Sequence, residues 1–413
     1  MADDRRAAGN AVSNGAPAAA ELAINGGAPV RDRPLPYGHH CIEDEDVQAV
    51  VEVLRSDWLT TGPNVREFEE AFAAAVGARY AVSFSSGTAA LQGAVFAADV
   101  RAGDEGVTSP LTFCASANCL LYQGATPVFA DVCDDTLTLD PDAVARRITL
   151  RTKVLLPVDY AGHPAEMDAI MTAADRHGLV VIEDASHALG ATYRGRRVGS
   201  IAHMSVFSFH PVKHITTGEG GMVTTDRPEY AQRLRRFRSH GIEYAPDRRR
   251  REPWYYEMVC LGYNYRLTDI GSVLGRSQLR RLDANLAARR KLAKAYDVAL
   301  GTLPAIRLPE VRGDVEPAWH IYPVRLWLER LTADRATIFR ALRAENIGVQ
   351  VHYIPVYLHP YYRRRFGSLQ GHCPVAEEAY SRLISFPLFH GMTDRDLEDV
   401  VQALAKVVRA YSQ

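Results

Sequence analysis

The segment SFHPVKHITTGEGG, residues 208–221, decides the fold of this 413-residue chain. It joins two apolar runs, residues 204–209 and 221–225, by a loop too short for a parallel crossover, so the second strand should be antiparallel. The loop carries Lys213 at the carboxyl end of a strand, where open α/β sheets place ligands. Most lysines are solvated surface groups, so Lys213 indicates a catalytic role only in combination with other residues of the same site.

Two other segments complete the pattern around Lys213. Asp184 ends the apolar run LVVIED, and a carboxylate that closes a buried strand needs a cationic or hydrogen-bonding partner. The run SSGTAA, residues 85–90, follows another strand and opens a helix, whose free N–H groups favour a phosphate. A lysine able to form a Schiff base, a partner for a pyridinium nitrogen and a phosphate cradle together predict a site for pyridoxal 5'-phosphate, in which Lys213 is the catalytic residue.

Each of these residues also has a simpler explanation. Asp184 could cap a helix or form a turn, and Gly87 could only relax the backbone between a strand and a helix. Phe113 is placed to stack on the cofactor ring but could be a core residue, and His187 could flank the cofactor or be a buried structural histidine. The residues predicted to bind the cofactor are Ser86, Gly87, Thr88, Phe113, Asp184, His187, Ser208 and Lys213.

Seven short apolar or β-branched runs predict the large domain. They occupy residues 80–85, 106–109, 126–132, 153–159, 179–184, 204–209 and 221–225, and most are separated by helical patterns. Strands that alternate with helices indicate an α/β fold with a seven-stranded, mostly parallel sheet covered on both faces. Before the first strand, Val47, Val50, Val51 and Leu54 share one face of a predicted helix, and a second helix is predicted over 64–76.

The remaining sequence predicts three parts. Residues 1–21 are poor in large apolar groups and should form a disordered tail. Residues 22–270 should form the large cofactor-binding domain. Residues 271–413 should form a bridging helix and a smaller C-terminal α/β domain, with strands near 319–326 and 348–352 and helices near 334–345, 375–383 and 394–410.

Composition excludes several classes of function. With 48 basic against 49 acidic residues, the net charge of -1 gives no reason to expect nucleic acid or an anionic membrane as a partner. The six cysteines are scattered, without a C-x-x-C pair or histidines at zinc spacing, so no metal site is predicted. No long apolar run or signal peptide is evident, and we expect a cytoplasmic protein with reduced thiols.

From about residue 22 onward, the chain resembles the DegT/DnrJ/EryC1/StrS sugar aminotransferase family. The segments that carry the resemblance are SFHPVKHITTGEGGMVTT, GPNVREFEEAF, PWYYE followed by LGYNYRLTDI, and GVQVHYIPVYLHPYY. They are most similar to the branch that serves the pseudaminic acid pathway. The resemblance implies the type I fold of pyridoxal-phosphate enzymes and transfer of an amino group from glutamate to C4 of a UDP-linked 4-keto-6-deoxy-HexNAc.

The resemblance also implies roles for individual residues. Lys213 matches the Schiff-base lysine, Asp184 matches the partner of the pyridine nitrogen, and Asn264 matches a residue that reaches the cofactor phosphate of a neighbouring subunit. A homodimer with shared active sites follows from the last match. The residues matched to the substrate pocket are Tyr37, Thr61, Arg266, His320, His352 and Tyr353. Asp159 departs from the family pattern, which more often has histidine there, and this departure bears on the substrate.

Other functions remain open at this stage. The same chemistry could act on a dTDP-ketosugar or a cyclitol, as in antibiotic biosynthesis. A dehydratase of the same fold usually has histidine in place of the lysine, whereas Lys213 is present here. A non-catalytic regulator that binds the cofactor would need an added DNA-binding module, for which the N-terminal segment is too short.

Overall fold

A computed structural model describes residues 21–412, so the predicted tail lies outside the described residues except for Glu21. The helices are α1 (Asp44–Leu54), α2 (Pro63–Val76), α3 (Gly87–Ala97), α4 (Ala115–Tyr122), α5 (Pro141–Ala145), α6 (Met167–His177), α7 (Pro228–Arg238), α8 (Pro246–Arg249), α9 (Asp269–Leu279), α10 (Leu282–Leu300), α11 (Arg335–Ala344), α12 (Pro360–Phe366), α13 (Pro374–Arg382) and α14 (Asp394–Tyr411). The strands are β1 (Tyr80–Phe84), β2 (Glu105–Thr108), β3 (Thr126–Phe129), β4 (Thr152–Leu156), β5 (Val180–Asp184), β6 (Thr192–Tyr193), β7 (Arg196–Arg197), β8 (Met204–Ser208), β9 (Gly221–Thr225), β10 (Ile242–Glu243), β11 (Glu257–Met258), β12 (Ile306–Arg307), β13 (Val315–Glu316), β14 (Tyr322–Leu326) and β15 (Leu383–Phe386).

The central sheet has seven strands in the order β1-β9-β8-β5-β4-β2-β3. Strands β8, β5, β4, β2 and β3 are parallel neighbours, whereas β9 is antiparallel to both β1 and β8. Val206 of β8 packs in one apolar cluster and the next residue, Phe207, packs in another. Because successive side chains of a strand point to opposite faces, both faces of the sheet are covered. The predicted seven-stranded, mostly parallel sheet with an antiparallel final strand is confirmed.

The C-terminal domain is built on a smaller antiparallel sheet of β12, β14 and β15. The strand predicted near 319–326 begins only at Tyr322. The strand predicted near 348–352 is wrong, because only Gln350 pairs there, with Ser385, and residues 350–354 line a cavity instead. The predicted bridging helix is divided into α9 and α10, and at the break Arg281 reaches the buried carboxylate of Asp46 at 2.7 Å.

Helix α1 packs through a different face from the one its apolar residues predict. Val47 and Leu54 are 52% and 55% exposed, whereas Asp46 and Val53 are buried. Asp46 accepts hydrogen bonds from Arg281 and, at 2.7 Å, from Gln278 Nε2, and such partners offset the cost of burying a charge. Apolar spacing therefore gives the wrong face for this helix, because its deepest residue is an aspartate.

The first described residues pack on the C-terminal domain, although the predicted boundary assigns them to the large domain. Leu22 and Leu35 belong to the C-terminal apolar core. The fully buried carboxylate of Glu345 accepts hydrogen bonds of 2.9 Å from the backbone N–H groups of Ala23 and Val30, and Lys406 Nζ lies 2.9 Å away. The start of the described chain is thus tied to the small domain by charge-assisted hydrogen bonds as well as by apolar contacts.

Within residues 21–412, no helix combines the length and the apolar character that crossing a membrane requires.

Candidate active site

A cavity of about 630 Å³ lies at the carboxyl ends of β1, β2, β5 and β8. This volume is in the range of sites that bind cofactors and small substrates. Its lining includes Tyr37, Ser86, Gly87, Thr88, Phe113, Ser116, Asp184, Ser186, His187, Ser208, Lys213, His320, Gln350, His352 and Tyr353. The central sheet therefore gathers residues that are more than 300 positions apart in the sequence.

Lys213 is held in the loop between β8 and β9 and reaches into this cavity. Its Nζ atom lies 3.5 Å from Nε2 of His320. Burial lowers the pKa of Lys213 from 10.5 to about 8, and the nearby carboxylate of Asp184 partly opposes this effect. A useful fraction of the amine is therefore neutral near pH 7, and only the neutral amine can attack a carbonyl or take up a proton.

Asp184 is the last residue of β5 and is 5% exposed. Its Oδ2 accepts a 2.6 Å hydrogen bond from Ser116 Oγ, and its Oδ1 accepts a 3.2 Å bond from the N–H of Ser186. No ion pair to Asp184 is formed within residues 21–412. A carboxylate held by neutral donors at the wall of a cavity fits the protonated nitrogen of a pyridine ring.

The phosphate cradle is the start of helix α3. Ser86 is the N-cap residue, and its hydroxyl accepts a 3.1 Å hydrogen bond from the N–H of Ala89. A Cβ atom on Gly87 would lie 2.9 Å from the Cβ of Ser208, so glycine allows β8 to approach the helix start. The backbone N–H groups and positive end of the helix suit a phosphate, and the hydroxyls of Thr88 and Ser208 line the same cavity.

Four histidines lie around Lys213 in their neutral form. Burial is the main cause that lowers the pKa of His187, His214 and His320 well below the usual value, and it lowers the pKa of His352 to about 4. The rings of His187 and His320 are 4.3 Å apart, and the hydroxyl of Tyr353 lies 3.1 Å from His187 Nε2. Within the described chain, the buried Nδ1 atoms of His187 and His320 have no hydrogen-bond partner, which is unusual for buried polar atoms.

Most residues predicted to bind cofactor or substrate line this cavity. Phe113 is 60% exposed, and its ring is 6.4 Å from that of Tyr353, so it can cover a bound ring but is not a core residue. Three predicted residues do not line the cavity: Thr61, Asn264 and Arg266. Thr61 is exposed on the loop between α1 and α2, and Asn264 is exposed beside Ser239.

Sequence reasoning missed the two residues that hold Asp184 in place. Ser186 follows Asp184 by two positions, which is the usual spacing of an aspartate turn and could have been recognised. Ser116 is in helix α4, 68 positions away, and no local pattern indicates its contact. Asp159, expected to bear on the substrate, is fully buried and does not line the cavity.

The chain matches a known protein family over most of its length. The model of the DegT/DnrJ/EryC1/StrS aminotransferase family matches residues 40–405. The chain belongs to this family. The DegT/DnrJ/EryC1/StrS aminotransferases depend on pyridoxal 5'-phosphate, and the lysine, the carboxylate and the phosphate cradle of the cavity fit that cofactor.

Individual DegT/DnrJ/EryC1/StrS family members resemble most of the chain. The spore coat polysaccharide biosynthesis protein SpsC of Bacillus subtilis is 42% identical over 382 residues, which cover 92% of this chain and 98% of SpsC. The Helicobacter pylori aminotransferase PseC, involved in the biosynthesis of pseudoaminic acid, is 33% identical with a TM-score of 0.85, over 91% of this chain and 99% of PseC. Spr1654 of Streptococcus pneumoniae in its PLP form is 29% identical with a TM-score of 0.85, over 91% and 98% of the two chains.

Proposed function

We propose that this aminotransferase transfers an amino group from glutamate to C4 of a UDP-linked 4-keto-6-deoxy-HexNAc, in amino sugar biosynthesis of the pseudaminic acid type. The observation that carries the reaction is the presence of Lys213 and Asp184 in one cavity with the phosphate cradle of α3. The similarity to PseC over almost its full length supports the choice of a ketosugar.

The residues of the cavity have different roles in the proposed amino transfer. Pyridoxal phosphate, when bound, supplies an aldehyde that joins amines covalently and a ring that takes up electrons released at the reacting carbon. Asp184 holds the ring nitrogen protonated, and Ser116 fixes the position of that carboxylate at 2.6 Å. Nζ of Lys213 takes the proton from Cα of the amino donor, and in the second half of the cycle it returns a proton to C4 of the sugar. Because the surrounding histidines are neutral, Lys213 is the group of the site that carries the transferred proton.

A second groove offers space for the nucleotide part of the substrate. It has a volume of about 380 Å³ and shares Cys114 and His359 with the main cavity. Tyr122 and Tyr361 present half-exposed rings in this groove, and Arg365 completes its wall. Aromatic faces can stack on a base, and a guanidinium can bind a diphosphate, which favours a sugar nucleotide over a free sugar or a cyclitol.

Turnover of defined ketones tests the proposal. The purified protein would be incubated with glutamate and a panel of UDP- and dTDP-linked 4-ketosugars, a 3-ketosugar and a cyclitol ketone, with 2-oxoglutarate and the amino product measured together. We expect stoichiometric products from a UDP-4-ketosugar, and none from the Lys213→Ala variant. Turnover confined to a dTDP-ketosugar or to the cyclitol would replace the substrate proposed here.

We also propose a homodimer with shared active sites, acting in the cytoplasm. The segment from β10 to Tyr263 exposes large apolar side chains, including 77% of Trp254 and 68% of Met258, which is typical of a surface that another chain covers. Asn264 follows this segment and lies outside the cavity of its own chain. It is therefore available to the site of a partner.

Subunit complementation tests the shared site. Lys213→Ala and Asn264→Ala homodimers should each have little activity. After mixing and exchange of subunits, the mixed dimers contain one site with both residues intact, so activity should return to about a quarter of wild type if subunits exchange at random. A mixture that stays inactive although mixed dimers form would show that Asn264 does not act across the interface.

A further inference from the structure

Two buried carboxyl groups lie beside the strand end that presents Asp184. Asp159 follows β4, Glu183 is in β5, and both side chains are fully buried. Each of the two carboxyl groups lies close enough to the other to shift its pKa. Within the described chain, the buried atoms Asp159 Oδ2 and Glu183 Oε1 have no hydrogen-bond partner.

The other oxygen of each group already has a donor. Asp159 Oδ1 accepts a 3.0 Å hydrogen bond from the N–H of Ala165, and Glu183 Oε2 accepts a 2.5 Å bond from Ser205 Oγ. An ionised carboxylate can only accept hydrogen bonds, so a bond between two carboxyl groups requires a proton on one of them. One proton therefore satisfies both of the oxygen atoms that lack a partner.

The surroundings favour Asp159 as the group that carries this proton. Burial, with Glu183 and Asp184 as neighbouring acids, raises the pKa of Asp159 well above its usual value. Burial raises the pKa of Glu183 only to about 7, because Ser205 and the backbone of Gly199 donate to its carboxylate and Arg196 is nearby. The group with more donors is the better site for the negative charge.

We propose that Asp159 and Glu183 share one proton, carried by Asp159, and that this pair positions Asp184. The N–H of Asp159 donates to the carbonyl oxygen of Asp184 at 3.1 Å, and the N–H of Asp184 donates to Pro157 at 2.8 Å. These backbone bonds hold the chain after β4 against the end of β5, where Asp184 lines the cavity and Glu183 is the preceding residue. A shared proton also avoids three adjacent ionised carboxylates. The catalytic part of this inference rests on the proposed role of Asp184.

Substitution of either carboxyl group by an amide tests the proposed pair without a measurement of activity. In the full-length protein, infrared spectroscopy should detect the carbonyl stretch of a buried protonated carboxylic acid near pH 7. Asp159→Asn should remove this band, and Glu183→Gln should remove it too, because either amide supplies the hydrogen of the bond. The exposed control Asp142→Asn should leave the band in place. A wild-type spectrum without the band, or a band that survives both substitutions, would overturn the proposal.

The pH dependence of stability gives a second readout. Folded wild-type protein keeps a proton that unfolded chains release above their ordinary aspartate pKa, so its stability should fall as the pH rises toward the folded pKa of Asp159. Asp159→Asn lacks this proton, so its melting temperature relative to wild type should rise with pH between pH 5 and pH 8. An unchanged difference across this range would contradict a shared proton.

Cofactor affinity tests whether the pair of Asp159 and Glu183 positions Asp184, which is a separate question from whether the pair shares a proton. Asp159→Ala leaves Glu183 without its donor, and we expect roughly tenfold weaker cofactor binding and a shifted pH profile of the cofactor absorbance. Asp159→Asn should bind the cofactor as wild type does. If Asp159→Ala binds normally with an unchanged profile, the pair does not position Asp184. Asp184→Asn, measured in parallel, tests the proposed role of Asp184 independently.

Discussion

Replacing the catalytic lysine should stabilise the cofactor-free protein while it abolishes amino transfer. Lys213 has a pKa of about 8 in the folded protein instead of 10.5, because burial penalises its charged form. Each pH unit corresponds to about 1.4 kcal/mol, so the full lowering is equivalent to about 3.5 kcal/mol. The side chain retains some contact with solvent, which reduces the effect, and we expect Lys213→Met to gain about 1–3 kcal/mol near pH 7.

The sign of the effect changes with pH in a defined way. Below about pH 8, Lys213 is charged in both the folded and the unfolded protein, so the folded state bears the full cost of burying the charge. Between about pH 8 and 10.5 the folded protein loses the proton first, and wild-type stability rises relative to the variant. Above about pH 10.5 both states are neutral. The advantage of Lys213→Met should therefore disappear as the pH increases through this interval.

Chemical denaturation of cofactor-free protein across this pH range measures the difference in the free energy of unfolding. Lys294→Met in α10 is the matched control, because Lys294 is exposed and the same substitution there removes a solvated charge. The control should stay within about 0.5 kcal/mol of wild type at every pH. A Lys213→Met protein that is no more stable than the control near pH 7, or whose advantage persists above pH 10.5, would contradict a buried charge on Lys213.

Three further substitutions probe the cavity and the groove beside it. Ser116→Ala removes the 2.6 Å bond to buried Asp184, and since bonds to charged groups contribute about 1.5–3 kcal/mol, cofactor titration should show at least tenfold weaker binding. Gly87→Ala places a Cβ 2.9 Å from the Cβ of Ser208, so the start of α3 must move away from β8, and we expect weaker cofactor binding together with a lower melting temperature; unchanged affinity would argue against a cradle at this point. Arg365→Ala should raise the KM for the sugar nucleotide at least tenfold and leave the reaction with glutamate alone unchanged, whereas equal losses in both half-reactions would contradict a nucleotide groove.

Sequence reasoning predicted the central sheet because its strands are short, apolar and separated by helices with clear periodicity. The antiparallel β9 followed from the length of the loop that carries Lys213. Predictions based on apolar spacing failed where polar contacts decide the packing. In α1 the most deeply buried residue is Asp46, whose partners Gln278 and Arg281 are more than 230 positions away. Hydrogen bonds between residues so far apart in the sequence cannot be predicted from the local spacing of apolar residues.

In the candidate site, too, some residues could be predicted from the sequence and others could not. Lys213, Asp184 and Gly87 could be predicted because each occupies a loop at a strand end, where the fold class itself implies a ligand. The bond from Ser116 to Asp184 could not, because it depends on how α4 packs against the sheet. The pairing of Asp159 with Glu183 also depends on the register of neighbouring strands, which the sequence does not specify.

The attachment of the first described residues to Glu345 has a practical consequence for deletion variants. The family match begins at residue 40, and trimming the protein to that point would remove Ala23 and Val30, two of the donors to a buried carboxylate. Lys406 alone would then face Glu345, and the apolar surface under Leu22 and Leu35 would be open to water. A shortened enzyme that begins at the homology boundary should therefore aggregate or lose its C-terminal domain, whereas one that begins at residue 21 should fold normally.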